Sequence, residues 1–228
     1  MTSNPNATHT LARWVLLLCI PPLFLLSPLY VLATPAFVRY EYNKAGFPPA
    51  TVYDEAERLT LAEATVHYLR SNAGPDYLWD LRAKSGQEVY NPREVKHMVD
   101  VKTVMRAAFR VHGICALLAL AAAIFLWRKE GGRSAVLRAL YEGSAALLAL
   151  LAAVGVVAYF SFDLFFVAFH RVFFQGDSWL FAYTDSLIQL FPVPFWMDAT
   201  AGLVGLAVGA AILVGGAAYL LSRRAQGT

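Results

Sequence analysis

Four long apolar stretches constrain the fold of this chain more than any other feature. Each covers about 20 residues, which is enough for an α-helix to cross a hydrocarbon core of about 30 Å. Hydrophobic residues make up 58% of the sequence and charged residues only 15%, which is less charge than soluble domains carry. We therefore predict an all-α polytopic membrane protein that forms a single membrane domain over residues 1–228. The predicted spans cover residues 14–34, 109–127, 143–161 and 199–221.

The distribution of basic residues predicts how these spans are oriented. Residues 128–142 carry four Lys/Arg against two Asp/Glu, and two arginines follow the last span. Residues 36–103 carry nine Lys/Arg and ten Asp/Glu, so they have no positive excess. The positive-inside rule then places both termini in the cytoplasm and residues 36–105 and 163–198 on the extracytoplasmic side. The net charge of +3 reflects this topology and does not indicate a nucleic-acid partner.

Helix-start signals predict that the insert 36–105 is a helical cap. Thr51 with Asp54 resembles a capping arrangement ahead of an apolar stripe with helical spacing. Asn91 is a stronger start, because Pro92 suits the first helical position and Glu94 follows Asn91 by three residues. The helix that starts at Pro92 is expected to run without a break into span two.

Small residues in span four predict close helix packing. Gly205 and Gly209 form a GxxxG pattern, which permits two helix backbones to approach closely. Packing within one bundle is favoured over association of two copies, so we expect a monomer. Cys19 and Cys115 lie in different spans, and we interpret them as two packed thiols.

The segment from Phe160 to Trp196 combines many aromatic residues with polar groups. It contains one histidine, His170, and three acids, Asp163, Asp177 and Asp185. Anchoring in lipid would need none of these polar groups, and polar groups near lipid are costly. We interpret the segment as a functional site at the membrane surface. An aromatic belt with a hydrogen-bonded interface histidine also fits the spacing.

A second histidine lies on the helix that leads into span two. His97 and Asp100 are three residues apart and share one helix face. Histidine suits proton transfer near neutral pH, and a neighbouring carboxylate can orient its ring. A simple surface pair also fits this spacing. However, both His97 and His170 are expected on the same side of the membrane and close to its surface.

Other site chemistries find less support in the sequence. His97, Asp100, His170 and Asp177 could supply metal ligands, but there is no HExxH or paired-cysteine motif. There is also no GxSxG elbow and no glycine-rich phosphate loop. A metal-dependent lipid hydrolase and a non-enzymatic lipid-binding or assembly factor remain as alternatives.

Two segments resemble the signatures of a known family. F-H-R-V-F-F-Q-G-D-S-W and E-V-K-H-M-V-D-V-K are similar to motifs of the bacterial lipoprotein intramolecular transacylases, and the four-span layout also matches. The resemblance implies an enzyme of the bacterial cytoplasmic membrane that needs no cofactor. Such enzymes move the sn-2 acyl chain of a diacylglyceryl-cysteine lipoprotein to its own α-amino group, which gives the lyso-form. The two essential histidines of the family match His97 and His170.

The chemistry of this reaction suits a pair of histidines. The α-amino group, with a pKa near ~8, needs a base before it attacks the ester, and the departing glycerol oxygen needs a proton. We expect His170 to be the base and His97 the acid or orienting partner, although the two roles can be exchanged.

Seven other residues are candidates for supporting the reaction or binding the lipoprotein and membrane phospholipid. Asp100 is expected to orient His97. Asp177 and Asp185 are expected either to hold the external loop or to bind the substrate's ammonium. The remaining candidates are Arg171 for phospholipid or a substrate carbonyl, Tyr40 and Tyr42 as oxyanion donors, and Asp163 facing the same cleft.

Overall fold

The computed structural model describes residues 5–224 and confirms the all-α prediction. Within that range, the β pairing is limited to an isolated bridge between Arg82 and Glu88. The helices are α1 (Pro5–Leu26), α2 (Leu29–Leu32), α3 (Pro35–Tyr42), α4 (Glu55–Arg70), α5 (Asp76–Trp79), α6 (Pro92–Trp127), α7 (Gly132–Phe160), α8 (Phe162–Phe173), α9 (Ser186–Leu190) and α10 (Val193–Arg224).

Four helical segments of the described chain are long and apolar enough to cross a membrane, as predicted. They are Ala7–Leu32, Pro92–Trp127, Gly132–Phe160 and Val193–Arg224. Helix α6 begins well before the apolar stretch predicted at 109–127. The polar first part of this helix, residues 92–107, carries His97.

The described chain divides into two compact units. The bundle unit contains residues 5–28, 108–160 and 203–224, and the cap unit contains Leu29–Ala107 and Ser161–Gly202. The bundle unit has a core of small and aliphatic side chains, whereas the core of the cap unit includes tyrosines and phenylalanines. The most buried members of the cap core are Val38, Ala62, Tyr68, Leu78, Tyr90 and Leu190.

Close helix packing in the bundle unit occurs at glycines other than the predicted ones. A Cβ on Gly143 of α7 would lie 2.8 Å from the Leu17 carbonyl oxygen of α1. A Cβ on Gly215 of α10 would lie 2.6 Å from the Cβ of Ser144. A Cβ on Gly205 or Gly209 would meet no described atom within 4 Å, so the predicted close contact at the GxxxG pattern is wrong. A GxxxG pattern permits close approach but does not say which face of a helix meets a neighbour.

The start of α6 forms the capping box that the sequence predicts. The Asn91 side-chain oxygen accepts from the backbone N–H of Glu94 at 3.1 Å, and Glu94 Oε2 accepts from the backbone N–H of Asn91 at 2.9 Å. The two bonds satisfy backbone donors that a helix end would otherwise leave unpaired. This arrangement anchors the turn that precedes His97.

Helix α4 starts with a simpler cap than the sequence suggests. Asp54 is the capping residue, and its side chain accepts from the backbone N–H of Glu57 at 2.8 Å. Thr51 takes no part in that cap; its backbone N–H instead donates to the side chain of Gln189 at 2.9 Å. The predicted helix is therefore present, but Thr51 holds a different part of the cap unit.

A single residue separates α7 from the helix that carries His170. Ser161 has an extended backbone, and its hydroxyl accepts from the backbone N–H of Leu164 at 3.3 Å, so it caps α8. The chain therefore begins a new helix at Phe162 instead of extending α7. Helix α8 belongs to the cap unit, together with the first part of α6.

Candidate active site

His97 is buried among aromatic rings, and its Nδ1 atom has no hydrogen bond within the described chain. Its side chain lies on α6, and only 9% of the residue is exposed. The ring centroid is 4.9 Å from that of Phe174 and 5.2 Å from that of Phe181. Nδ1 is buried and finds no partner among residues 5–224. An imidazolium here would be an uncompensated charge in apolar surroundings, which is costly, so the neutral ring is favoured.

His170 is also packed against aromatic rings, but one of its nitrogens is bonded. Nδ1 lies 2.8 Å from the carbonyl oxygen of Phe166, one turn earlier on α8. Because a carbonyl only accepts, this contact places a proton on Nδ1 and leaves Nε2 of the neutral ring as an acceptor. Burial lowers the pKa of His170 below its usual value, and the Phe166 carbonyl partly opposes that change. His170 is therefore suited to act as a base near neutral pH.

One aromatic ring connects the two histidines. Phe174 packs against His97 at 4.9 Å and against His170 at 5.6 Å between ring centroids. Trp179 covers His170 from the same loop, at 4.9 Å. The imidazoles are near enough for a charge on one to disfavour a charge on the other. The structure thus brings together the two residues that the sequence indicates as catalytic.

Asp185 holds the external loop, which is one of the two roles expected for it. Its carboxylate accepts from the guanidinium of Arg93 at 2.6 Å, from the side chain of Asn91 at 3.2 Å and from the backbone N–H of Ala182 at 2.7 Å. The loop between α8 and α9 is therefore tied to the start of α6.

The other acidic candidates do not contact the histidines. Asp100 makes no hydrogen bond to His97, so the expected carboxylate–imidazole pair is absent from the described structure. Asp163 and Asp177 are exposed, as is Arg171. Their predicted roles toward substrate or phospholipid stay predictions.

The two tyrosine candidates lie in different surroundings. Tyr40 is 63% exposed. The Tyr42 hydroxyl donates to the carbonyl oxygen of Leu190, and burial raises its pKa, so the group stays a neutral donor. That donation uses the one hydroxyl proton of Tyr42, which in this structure is therefore not free to bind an oxyanion. Tyr42 instead links α3 to the end of α9.

Two buried charged residues hold α9 in place through hydrogen bonds that the sequence did not predict. Glu94 Oε1 accepts from the backbone N–H of Leu187 at 2.8 Å, in addition to its capping bond. The Arg58 guanidinium donates to the carbonyl oxygens of Gln189 and Pro48 at 2.8 and 2.6 Å. The α9 partners of both lie far away in the chain, so no local pattern could have indicated these bonds.

Within residues 5–224, no group of three His, Cys, Asp or Glu side chains is placed to hold a metal ion. The four side chains that the sequence offers as ligands, His97, Asp100, His170 and Asp177, are thus not gathered into a cluster. What the fold does assemble is a pair of neutral imidazoles, one buried and one half-buried, which can accept and donate protons.

These features define a multi-pass membrane protein whose candidate site is a histidine pair in aromatic surroundings. The chain belongs to the lipoprotein intramolecular transacylase family, because the family model for lipoprotein intramolecular transacylase Lit matches residues 13–196. It is accordingly an acyltransferase that moves the sn-2 acyl chain of a diacylglyceryl-cysteine lipoprotein to the α-amino group of that cysteine.

A relative and solved structures are also similar to this chain. A protein of Aquifex aeolicus (strain VF5), described as uncharacterized, is 32% identical over 165 residues, which are 72% of this chain and 73% of the relative. The in meso structure of the membrane integral lipoprotein intramolecular transacylase Lit from Bacillus cereus covers 98% of both chains at 18% identity and a TM-score of 0.70. A form of that protein with one histidine replaced by arginine has a TM-score of 0.67 at 19% identity, covering 98% of this chain and 96% of its own. At these identities the structures establish the fold.

Proposed function

We propose that His97 and His170 together carry out the O-to-N acyl transfer. The observation that supports this proposal is that both rings lie in one aromatic cluster and share Phe174 as a neighbour. Neutral imidazoles in such surroundings can exchange protons with a substrate at neutral pH. Aromatic side chains around them also suit the acyl chains of a lipid-modified cysteine.

The reaction needs a base first. Nε2 of His170 takes a proton from the α-amino group of the substrate's N-terminal cysteine, and the nitrogen attacks the carbonyl carbon of the sn-2 ester. A C–N bond forms, and the carbonyl oxygen of the ester becomes an oxyanion in a tetrahedral intermediate. Because amine and ester belong to one molecule, binding that brings them together supplies much of the rate enhancement.

An acid is needed second. When the intermediate collapses, the bond between the acyl carbon and the glycerol oxygen breaks, and that oxygen needs a proton. His97 donates a proton to this oxygen and is reprotonated with the proton that His170 took from the amine, so both imidazoles end neutral. The products are an N-acyl amide and a free sn-2 hydroxyl on the same lipoprotein, so atoms and charges balance without a co-reactant.

The cellular setting of this site follows from the distribution of charges. The basic residues at 128–142 and after span four favour a cytoplasmic location for both termini. The histidine pair then works on the extracytoplasmic side of the bacterial cell membrane, where lipidated cysteines are exposed. The enzyme acts as a monomer among membrane phospholipids.

The direct test is the chemical form of a lipoprotein N-terminus. The chain and its His97→Ala and His170→Ala variants are expressed in a bacterium that lacks other N-acylation of lipoproteins. Mass spectra of one abundant N-terminal lipopeptide are then compared at matched membrane levels. We expect the N-acyl, monoacylglyceryl form from the wild type and the unaltered diacylglyceryl form from both variants.

A matched control comes from the same unit. His67 is an exposed histidine on α4 that packs against Tyr77, so His67→Ala removes an imidazole without touching the site. This variant is expected to give the same product as the wild type. Product formation by His97→Ala or His170→Ala at the level of His67→Ala would refute the proposed roles.

A further inference from the structure

The ring of His97 is held without the hydrogen bond that usually orients a catalytic histidine. In most such sites a carboxylate or carbonyl accepts from the ring nitrogen and fixes its tautomer and direction. Within the described chain His97 Nδ1 has no partner, and Asp100 does not supply one. The rings of Phe174 and Phe181 pack against it, with centroids at 4.9 and 5.2 Å from that of the imidazole.

These two rings differ in what else they do. Phe174 packs against His170 as well as His97, so its position depends on both imidazoles and on α8, which it directly follows. Phe181 packs edge-on against His97, with an interplanar angle of 64°. It belongs to the loop between α8 and α9. A fixed Phe181 therefore limits how far the His97 ring can turn.

An ion pair also contacts the ring of Phe181. The guanidinium of Arg93 lies 5.4 Å from the centroid of the Phe181 ring, and the same guanidinium donates to Asp185 at 2.6 Å. Asp185 also accepts from the backbone N–H of Ala182, the residue next to Phe181. Arg93 and His97 are four residues apart on α6, so the helix that carries the histidine also carries the cation that stacks on its aromatic neighbour.

We propose that Phe181 is a positioning residue for His97 in the acyl transfer, and that the Arg93–Asp185 pair holds Phe181 in place. Packing against the Phe181 ring orients the imidazole of His97, as a hydrogen-bonded carboxylate does in other histidine sites. Nδ1 of His97 then stays available to the substrate, because no described residue of the chain is hydrogen-bonded to it. The proposal rests on the catalytic role of His97 proposed above.

The proposal is tested by removing the ring but keeping the apolar volume. In Phe181→Leu the loop can stay packed, but the edge contact with His97 is lost. We expect kcat to fall about 10- to 100-fold, the range that misplacement of a catalytic group by about 1 Å produces, with KM changed less than about threefold. Phe181→Tyr keeps the ring and should restore most of kcat. Activity is measured on a synthetic diacylglyceryl lipopeptide in detergent micelles.

The ion pair is tested with a matched control. Arg93→Gln removes the cation next to Phe181, whereas Arg82→Gln removes a cation from the exposed Arg82–Glu88 pair, which lies away from the loop. We expect a severalfold loss of kcat in the first variant and none in the second. A structural effect alone would lower the unfolding temperature in detergent without this difference in kcat.

The outcomes separate this proposal from the proposed function. If Phe181→Leu folds and keeps wild-type kcat while His97→Ala is inactive, the positioning role is wrong and the catalytic role stands. The positioning role is also wrong if Phe181→Tyr loses as much activity as Phe181→Leu. If His97→Ala is active, the proposed function fails and the positioning role fails with it.

Discussion

Helix α6 carries one histidine in each unit, and the two have different surroundings. In the bundle unit, Nε2 of His112 lies 3.0 Å from the hydroxyl of Ser27. In the cap unit, Nδ1 of His97 is buried between two phenyl rings without a partner among the described residues. Buried polar groups in proteins are nearly always hydrogen-bonded, and an exception calls for an explanation. The bonded histidine fits a role in packing, whereas the unbonded one fits a role toward a substrate.

Charged groups in the cap unit support the same interpretation. Arg58 and Glu94 are 4% and 1% exposed, and both are hydrogen-bonded to backbone groups of the α9 region. Glu41 is equally buried and has one oxygen without a hydrogen bond in the described chain, but the ammonium of Lys44 lies 3.5 Å from it. The fold thus provides compensation for these buried charges. Among the described residues it provides none for Nδ1 of His97.

The largest expected effect is the difference in activity between two variants, each with one α6 histidine replaced by glutamine. His97→Gln should lower kcat/KM by at least about 10³-fold, because an amide cannot transfer protons near neutral pH. His112→Gln should change it less than about threefold, because an amide can still bond to the Ser27 hydroxyl. The rate of N-acyl product formation from a synthetic lipopeptide measures both. Similar losses in the two variants would remove the contrast between a packing histidine and a catalytic one.

The sequence predicts the parts of the molecule that depend on near neighbours. The four spans and the Asn91–Glu94 capping box follow from periodicity and from contacts within four residues. The grouping of His97 with His170 followed from motifs and from the side of the membrane that is predicted for both. The second bond of Glu94 and the orientation of His97 by rings did not follow, because their partners are more than 70 residues away. The expected Asp100 contact failed for a related reason: neighbours on one helix face need not turn toward each other.

The next largest effect should come from the carboxylate that joins α6 to α9. Glu94→Ala leaves the backbone N–H groups of Asn91 and Leu187 without their acceptor. Each buried unpaired donor costs about 1–3 kcal/mol, so the loss of unfolding free energy for the two donors should be about 2–6 kcal/mol. Glu94→Gln keeps one acceptor oxygen and should lose about half as much. Thermal unfolding in detergent checks this order, which would be refuted if the alanine variant were as stable as the glutamine variant.

In the bundle unit, adding a methyl group should lower stability at a closely packed glycine and should not lower it at a glycine with open space around it. Gly143→Ala places a Cβ 2.8 Å from the Leu17 carbonyl oxygen and 2.8 Å from the Ile20 Cβ. Overpacking of this kind costs about 1–3 kcal/mol. Gly205→Ala meets no described atom within 4 Å and should stay within about 1 kcal/mol of the wild type, in the stabilising direction. Equal unfolding temperatures for the two variants would mean that α1 and α7 can move apart at no cost.

The smallest effect should be a dependence of stability on pH that involves His170. Burial lowers the pKa of His170 below its usual value of 6.5, so the unfolded chain takes up a proton more readily than the folded one. The unfolding free energy should therefore fall as the pH drops through 6.5, and level off below the folded-state pKa. One such group contributes at most about 1.4 kcal/mol per pH unit. His170→Gln lacks this titration, so its stability relative to the wild type should improve between pH 8 and pH 5. A constant difference over that range would mean that His170 binds its proton equally well in both states, and the aromatic cluster would then not favour the neutral base.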